Sequence, residues 1–254
     1  MKGLKQRLLN ETLIGCWLNL GSSVSAEIVG LAGFDWVLID FEHGSGTEKD
    51  VLHQLQALEH TKAAAIIRVE SYERQRIHRM LDYGANGIMI PRIESIEDAE
   101  RGAKAMRYQP EGVRGVARMV RAAQYGLTFD DYMETSHKDI VGIVQIETRE
   151  SLDLLDDIAA IDGIDVLFIG PMDLSTALGV RGQWDHPDYI RAIEQTACAA
   201  EKAGKTAGIL LPVPGELLRY TELGYRFIAS GSDTGFVAQG AIDTIKNITN
   251  KIKA

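Results

Sequence analysis

Apolar and polar positions along the chain fall into two alternating textures. Eight short runs rich in Val, Ile and Leu (Leu13–Leu20, Trp36–Phe41, Ala64–Val69, Gly87–Ile90, Ile140–Ile146, Val166–Ile169, Thr206–Leu211 and Arg226–Ala229) are separated by polar turns and by segments whose apolar positions recur with helical spacing. The helical segments are Ser25–Ala32, Glu48–His60, Glu73–Tyr83, Ser95–Met106, Arg149–Ala160, Pro187–Ala203, Pro214–Leu223 and Ala238–Ile252. The short runs are nearly continuous in apolar residues, the texture of strands covered on both faces in a parallel sheet. Eight strand–helix pairs in 254 residues predict an α/β fold, a (β/α)8 or TIM barrel. The first run is followed by Gly21-Ser22-Ser23 with no G-x-G-x-x-G, which disfavours a dinucleotide-binding sheet.

Turn chemistry fits these units. Ser95, with Asp98 three residues on, marks a helix start. Gly84 and Gly224 stand where a helix must stop in a left-handed conformation before the next strand. Tyr108–Asp139 is the long connection, and long loops in compact domains are usually functional. It carries Arg114, Arg118 and Arg121 and is expected to form a lid or pocket wall; the alternative is a surface excursion with a short helix near Phe129–Thr135.

Composition narrows the partners. The formal net charge is −9, which argues against nucleic acid or an anionic membrane surface but leaves a small anionic substrate open. Two cysteines, Cys16 and Cys198, are too few for a disulfide framework, and both sit in apolar context as expected buried thiols. No apolar run is long enough to span a membrane. The opening Met1-Lys2-Gly3-Leu4-Lys5-Gln6-Arg7 lacks the apolar core of a signal peptide, so a cytoplasmic protein is expected.

In such a barrel, chemistry collects at the C-terminal ends of the strands. Those ends read Asp40-Phe41-Glu42-His43-Gly44, Arg68-Val69-Glu70, Pro91-Arg92, Gln145-Ile146-Glu147-Thr148 and Gly170-Pro171-Met172-Asp173-Leu174-Ser175. Glu147 and Asp173, at equivalent heights on adjacent strands, would repel unless a cation or proton sat between them. Two hard oxygen ligands with room for water suit Mg2+ or Mn2+, although each carboxylate could instead cap a loop or pair with an arginine. Arg68 stands on a strand of buried residues and needs an acidic partner: a substrate carboxylate or keto oxygen, or internally Asp40, Glu42 or Glu70. His43 lies three residues after Asp40, whose carboxylate could orient the ring as a general acid or base. His53, His60, His78, His137 and His186 fall away from this end. No lysine lies at a strand's C-terminal end, and Lys205 precedes strand seven at the opposite rim; Schiff-base chemistry therefore lacks its nucleophile.

These five segments, together with Tyr108-Gln109-Pro110-Glu111-Gly112-Val113-Arg114-Gly115, resemble the HpcH/HpaI aldolase family in the right order over nearly the whole chain. The resemblance implies a class II pyruvate aldolase on a phosphoenolpyruvate/pyruvate-binding type of barrel, assembled as a homohexamer and cleaving a 4-hydroxy-2-oxo acid reversibly to pyruvate and an aldehyde. It implies Glu147 and Asp173 as ligands of Mg2+, Mn2+ or Co2+, Arg68 on the keto oxygen, and His43 oriented by Asp40 as acid/base. It implies a substrate pocket formed by Gln145, Gly170, Pro171, Met172, Asp173 and Leu210, with backbone amides near Met172 and Asp173 receiving the carboxylate. Asp82 matches a position that reaches a neighbouring subunit's site, and the last helix, about residues 237–253, is exchanged between subunits in this family. Met172 stands where a small residue is common. The aldehyde end would meet the long loop and the segments Leu211–Gly215 and Gly231–Gly235. The competing readings are another enolate lyase on this barrel, an oxaloacetate decarboxylase or a citrate-lyase-like acyl-CoA lyase, and a non-catalytic barrel that binds a small acid.

Overall fold

A computed structural model describes residues 3–253. Met1, Lys2 and Ala254, at the ends of the expected barrel, lie outside the described residues. Eight parallel strands close into a barrel in chain order: β1 (Leu13–Leu18), β2 (Trp36–Asp40), β3 (Ala64–Arg68), β4 (Gly87–Ile90), β5 (Val141–Ile146), β6 (Val166–Ile169), β7 (Thr206–Leu210) and β8 (Tyr225–Ser232). The expected runs and the observed strands agree in number and order. Runs one, two, three and seven lose residues at their ends because the chain leaves the ladder where the site begins.

The barrel has two apolar layers. Alternate strand residues point inward, as a pleat of period two requires. Trp36, Leu38, Ile66, Val141, Ile143, Phe168 and Phe227 fill the interior, and the helix Leu4–Leu8, which the pattern did not mark, contributes Leu4 and Leu8 to the same cluster. Trp36 stacks on Phe227 with centroids 3.9 Å apart, and its indole N–H donates to the Leu13 carbonyl at 3.2 Å. Gly15 makes room for that ring, since a Cβ there would overlap its Cε2 and Cδ2. Outward-facing residues such as Val37, Ile39, Ile67 and Ile88 pack beneath the surrounding helices.

Helices follow the strands at Ser23–Leu31, Glu48–Leu58, Arg74–Asp82, Ile96–Ala105, Pro187–Lys202, Leu217–Glu222 and Asp233–Lys253. Ser95 caps its helix by accepting the Asp98 N–H at 3.1 Å. Gly84 and Gly224 adopt φ of +100° and +98°, the left-handed stops that favour glycine. Arg149–Ala160 divides at Leu154 into Arg149–Asp153 and Leu155–Ala160. No helix among the described residues is long and apolar enough to cross a membrane.

Two expectations are corrected. Cys16 is buried in the core, where burial pushes its thiol up to about 12, but Cys198 is exposed on the outer face of Pro187–Lys202. The segment Tyr108–Asp139 is not a lid over this chain's own strand ends. It joins the helix Ile96–Ala105 to β5, and a helix-to-strand connection lies at the N-terminal rim of the barrel. There it forms a 3-10 turn, Arg121–Gly126, and the helix Phe129–Asp139, which is the surface excursion given as the alternative. Arg114 is buried between the rings of Tyr108 and Tyr132 and bonds Asp82 at 2.7 Å; Arg121 holds Glu59 and the Tyr83 carbonyl; Arg118 covers the Phe129 ring.

Candidate active site

The inward pleat places the polar cluster on top of the apolar interior. Asp40 continues the inward series Trp36, Leu38; Arg68 continues Ala64, Ile66; Gln145 continues Val141, Ile143. Asp40 and Arg68 are direct neighbours in the β2–β3 register. Both Asp40 oxygens receive the Arg68 fork, Nε to Oδ1 at 3.0 Å and Nη2 to Oδ2 at 2.7 Å. Arg68 Nη1 lies 3.1 Å from Glu42 Oε2 and 3.4 Å from Gln145 Oε1. Gln145 Nε2 in turn donates to Glu147 Oε2 at 2.9 Å. The guanidinium lies over the Trp17 ring, 5.7 Å from its centroid.

The electrostatics divide the carboxylates. Burial alone would raise Asp40, but the Arg68 fork and the backbone N–H groups of His43 and Glu42 outweigh it and hold the carboxyl below its ordinary value. Glu147 is the opposite case. Burial pushes its carboxyl up to about 7; the Arg92 N–H, donating at 2.9 Å, pulls it down, and Asp173 and Glu42 push it further up. Arg92 reaches that position through a left-handed φ of +47°, a strained conformation of the kind that collects at functional sites. Glu42 is also raised, chiefly by burial. Gly170 lets Glu147 pack close, because a Cβ there would strike Oε2. The site thus holds more buried negative charge than Arg68 balances.

Each expected residue has a definite place. Glu147 directly follows β5. Asp173 is not on strand six but in the first turn of the helix Pro171–Ala177, which the apolar pattern did not predict, and it is exposed. Gly170 caps that helix, Pro171 is its first residue, and Met172 is half-exposed with its carbonyl accepting from Ser175 Oγ and Thr176 Oγ1. Leu210 ends β7 against the interior cluster.

The expected pairing of Asp40 with the His43 ring is not made: Asp40 accepts the backbone N–H of His43 at 3.2 Å, while the ring is 71% exposed and 4.0 Å from Glu42. Three residues of separation across a tight turn bring the amide, not the side chain, to the carboxylate. Asp82 ends the helix Arg74–Asp82, at the N-terminal rim and away from its own chain's site, and is engaged by Arg114. The internal partners offered for Arg68 included Asp40 and Glu42, and both are made; sequence reasoning passed over Trp17 beneath Arg68, and Asn19, whose Nδ2 donates to Asp40 Oδ2 at 2.8 Å. The signal for Asn19 was available: it is a lone carboxamide near the C-terminal end of an apolar run.

Comparison with known proteins identifies the family and the fold. The sequence model of the HpcH/HpaI aldolase/citrate lyase family matches residues 13–240. A 5-keto-4-deoxy-D-glucarate aldolase of Enterobacter sp. (strain 638) is 43% identical over 225 residues, covering 89% of this chain and 88% of that protein. The protein of the same name from Shigella boydii serotype 18 (strain CDC 3083-94 / BS512) is 42% identical over 239 residues, 93% of each. The crystal structure of an HpcH/HpaI aldolase/citrate lyase family protein from Burkholderia cenocepacia J2315 superposes with a TM-score of 0.91 at 37% identity, covering 97% of this chain and 98% of that one. The chain belongs to the HpcH/HpaI aldolase/citrate lyase family, and is a carbon–carbon lyase built on a (β/α)8 barrel.

Proposed function

We propose that the protein is a class II pyruvate aldolase that cleaves a 4-hydroxy-2-oxo acid to pyruvate and an aldehyde and runs the reverse addition. The observation that carries this reading is the continuous buried array Asp40–Arg68–Gln145–Glu147 at the C-terminal strand ends. The relatives' name makes 5-keto-4-deoxy-D-glucarate the first substrate to test.

The donor set fits a hard divalent cation. Glu147 is a buried carboxyl pushed up to about 7 beside Asp173 and Glu42, a charge excess that a cation relieves. Glu147 and Asp173 would hold Mg2+, Mn2+ or Co2+, which when bound supplies Lewis-acid stabilisation of charge on the substrate's oxygens.

The chain's own groups do the rest. Arg68, locked by Asp40, presents Nη1 toward the keto oxygen, which gains negative charge as the C3–C4 bond breaks. A contact that strengthens with that charge lowers the barrier rather than merely binding substrate. The first-turn amides of Pro171–Ala177 near Met172 and Asp173, which have no acceptor within their own helix, receive the carboxylate. Gln145, Gly170, Pro171 and Leu210 shape the pocket, with Met172 at its mouth. His43, with its ring exposed at the strand ends, exchanges the proton of the C4 hydroxyl through water.

Assembly completes the reading. The C-terminal helix exposes Phe236, Ile242, Ile245 and Ile248, and the helix Ser23–Leu31 exposes Val24 and Ile28. Burying that surface supports a homohexamer with the last helix exchanged, in which Asp82 of a second copy approaches the site. We assign the cytoplasm, in keeping with two free cysteines, and small-molecule partners with no nucleic acid or membrane.

The test is pyruvate release, followed by coupled NADH oxidation, from a panel of 4-hydroxy-2-oxo acids with Mg2+ or Mn2+. Chelation should silence it, and borohydride with pyruvate should trap no lysine adduct; a trapped adduct overturns the reading. Oxaloacetate alone as substrate would mark a decarboxylase. The acyl-CoA lyase reading gains nothing from Arg114 and Arg121, which are engaged by Asp82, by Glu59 and by the Tyr83 carbonyl.

A further inference from the structure

Asn19 follows β1 and meets Asp40 across the top of the barrel. Its backbone is held independently of its side chain. The N–H donates to Asp233 Oδ1 at 2.8 Å, and the carbonyl accepts the Ser45 N–H at 2.8 Å. Asp233 is itself buried at the start of the C-terminal helix, where it also receives Ser25 Oγ at 2.8 Å and the Leu20 N–H at 3.3 Å. Residue 19 is therefore clamped from both sides, with its carboxamide directed at Asp40.

Asp40 needs that donor. Among the described residues, Oδ1 receives Arg68 Nε and the N–H groups of Glu42 and His43, and Oδ2 receives only Arg68 Nη2 and Asn19 Nδ2. Without Asn19, Oδ2 has no partner except the group it is meant to orient. The Asp40 carboxylate and the Arg68 fork, joined by two bonds, could then rock together. Nη1, 3.1 Å from Glu42 and 3.4 Å from Gln145, would be displaced with them.

We propose that Asn19 is a positioning residue for the lyase reaction: anchored through its backbone to Asp233, it fixes the plane of Asp40 and so aims Arg68 at the substrate oxygen. This rests on the aldolase reading of the same site. The effect belongs to the transition state more than to binding, because Arg68 meets its full charge only as the bond breaks.

The full-length enzyme with Mg2+ is assayed for pyruvate release beside Asn19→Ala and Asn19→Asp, with thermal unfolding of all three. The backbone bonds to Asp233 and Ser45 survive both substitutions, so the unfolding midpoint of Asn19→Ala should stay close to wild type, while Asn19→Asp, with two carboxylates face to face, should lose stability at pH 8 and regain it toward pH 6. Asn19→Ala should lower kcat about tenfold and leave KM within about twofold. Asn19→Asp keeps the shape but replaces a donor by a second carboxylate, facing Asp40 with Arg68, Glu42, His43 and Asp233 around it. Its activity relative to wild type should fall below that of Asn19→Ala at pH 8 and recover toward pH 6, as one proton comes to be shared between the two acids. A role in shape alone gives Asn19→Asp wild-type activity at both pH values, and that result overturns the proposal. So does an Asn19→Ala loss that merely follows a lowered unfolding midpoint, or an unchanged kcat. A wild type that releases no pyruvate overturns the reading of the site and this inference with it; an active wild type with unaffected variants overturns this inference alone.

Discussion

Removing the Arg68 side chain separates its two duties. In Arg68→Ala, Asp40 loses both bonds of the fork and keeps three donors: Asn19 Nδ2 and the N–H groups of Glu42 and His43. Breaking a buried ion pair costs about 3–5 kcal/mol, and the surviving donors place this case near 3 kcal/mol. For a chain of this size that lowers the unfolding midpoint by roughly 5–10 °C, leaving the barrel folded at 25 °C. The catalytic cost is separate. Loss of one donor to a developing oxyanion raises the barrier by about 3–4 kcal/mol, so turnover should fall roughly 10²–10³-fold. Arg68→Lys keeps the charge without the fork and should recover little of either. The pH dependence has a definite sign. Asp40 is held below its unfolded value, so the pair's contribution is fully present above about pH 4 and is lost as pH falls through the folded pKa. The midpoint difference between wild type and Arg68→Ala should therefore be widest near neutrality and close toward pH 3. Coupled pyruvate release and calorimetric scans at several pH values measure both. Full turnover by Arg68→Ala refutes its role at the substrate oxygen, and a stability gap unchanged between pH 7 and pH 3 refutes the assignment of Asp40 as its buried partner.

Three further outcomes follow from the geometry. With Glu147 pushed up to about 7, a proton competes with any cation, so Mg2+ or Mn2+ affinity measured by calorimetry should fall roughly tenfold per unit below pH 7; the metal-free protein should lose stability as pH rises from about 4.3 toward 7, the reverse sign to Asp40. Gly15→Ala forces a methyl into the Trp36 ring and should cost about 1–3 kcal/mol or prevent folding, read by urea unfolding. The double substitution Ile245→Asp and Ile248→Asp places charge on the exposed apolar face of the last helix and should shift sedimentation toward smaller species while leaving the circular dichroism unchanged.

How much of this was legible in the chain depends on which physical signal each feature leaves. The strands announced themselves because a sheet covered on both faces must be apolar at every position. The long loop was misread because its length says nothing about where it lies; the alternation already placed it after a helix and before β5, which fixes it to the N-terminal rim. The helix Pro171–Ala177 was missed because its length leaves too few positions for a period to show. The exposed Cys198 sits among alanines that do face inward, and only the exact helical phase separates them.

The deepest signal is register. Asp40, Arg68 and Gln145 each stand an even number of residues beyond interior apolar side chains, Leu38, Ile66 and Ile143, so the pleat that buries those residues must also point the polar three into the mouth of the barrel. A slip of one residue between β2 and β3 would turn Arg68 into the helix layer with Ile67 and leave Asp40 buried without its fork. Trp36, stacked on Phe227 of β8 and edge-on to Phe168 of β6, pins β2 at its other end against such a slip. The packing that closes the bottom of the barrel is thus what holds the guanidinium to the carboxylate at its top, and a bulky change at Gly15 should be felt as disorder around Arg68 before the barrel itself opens.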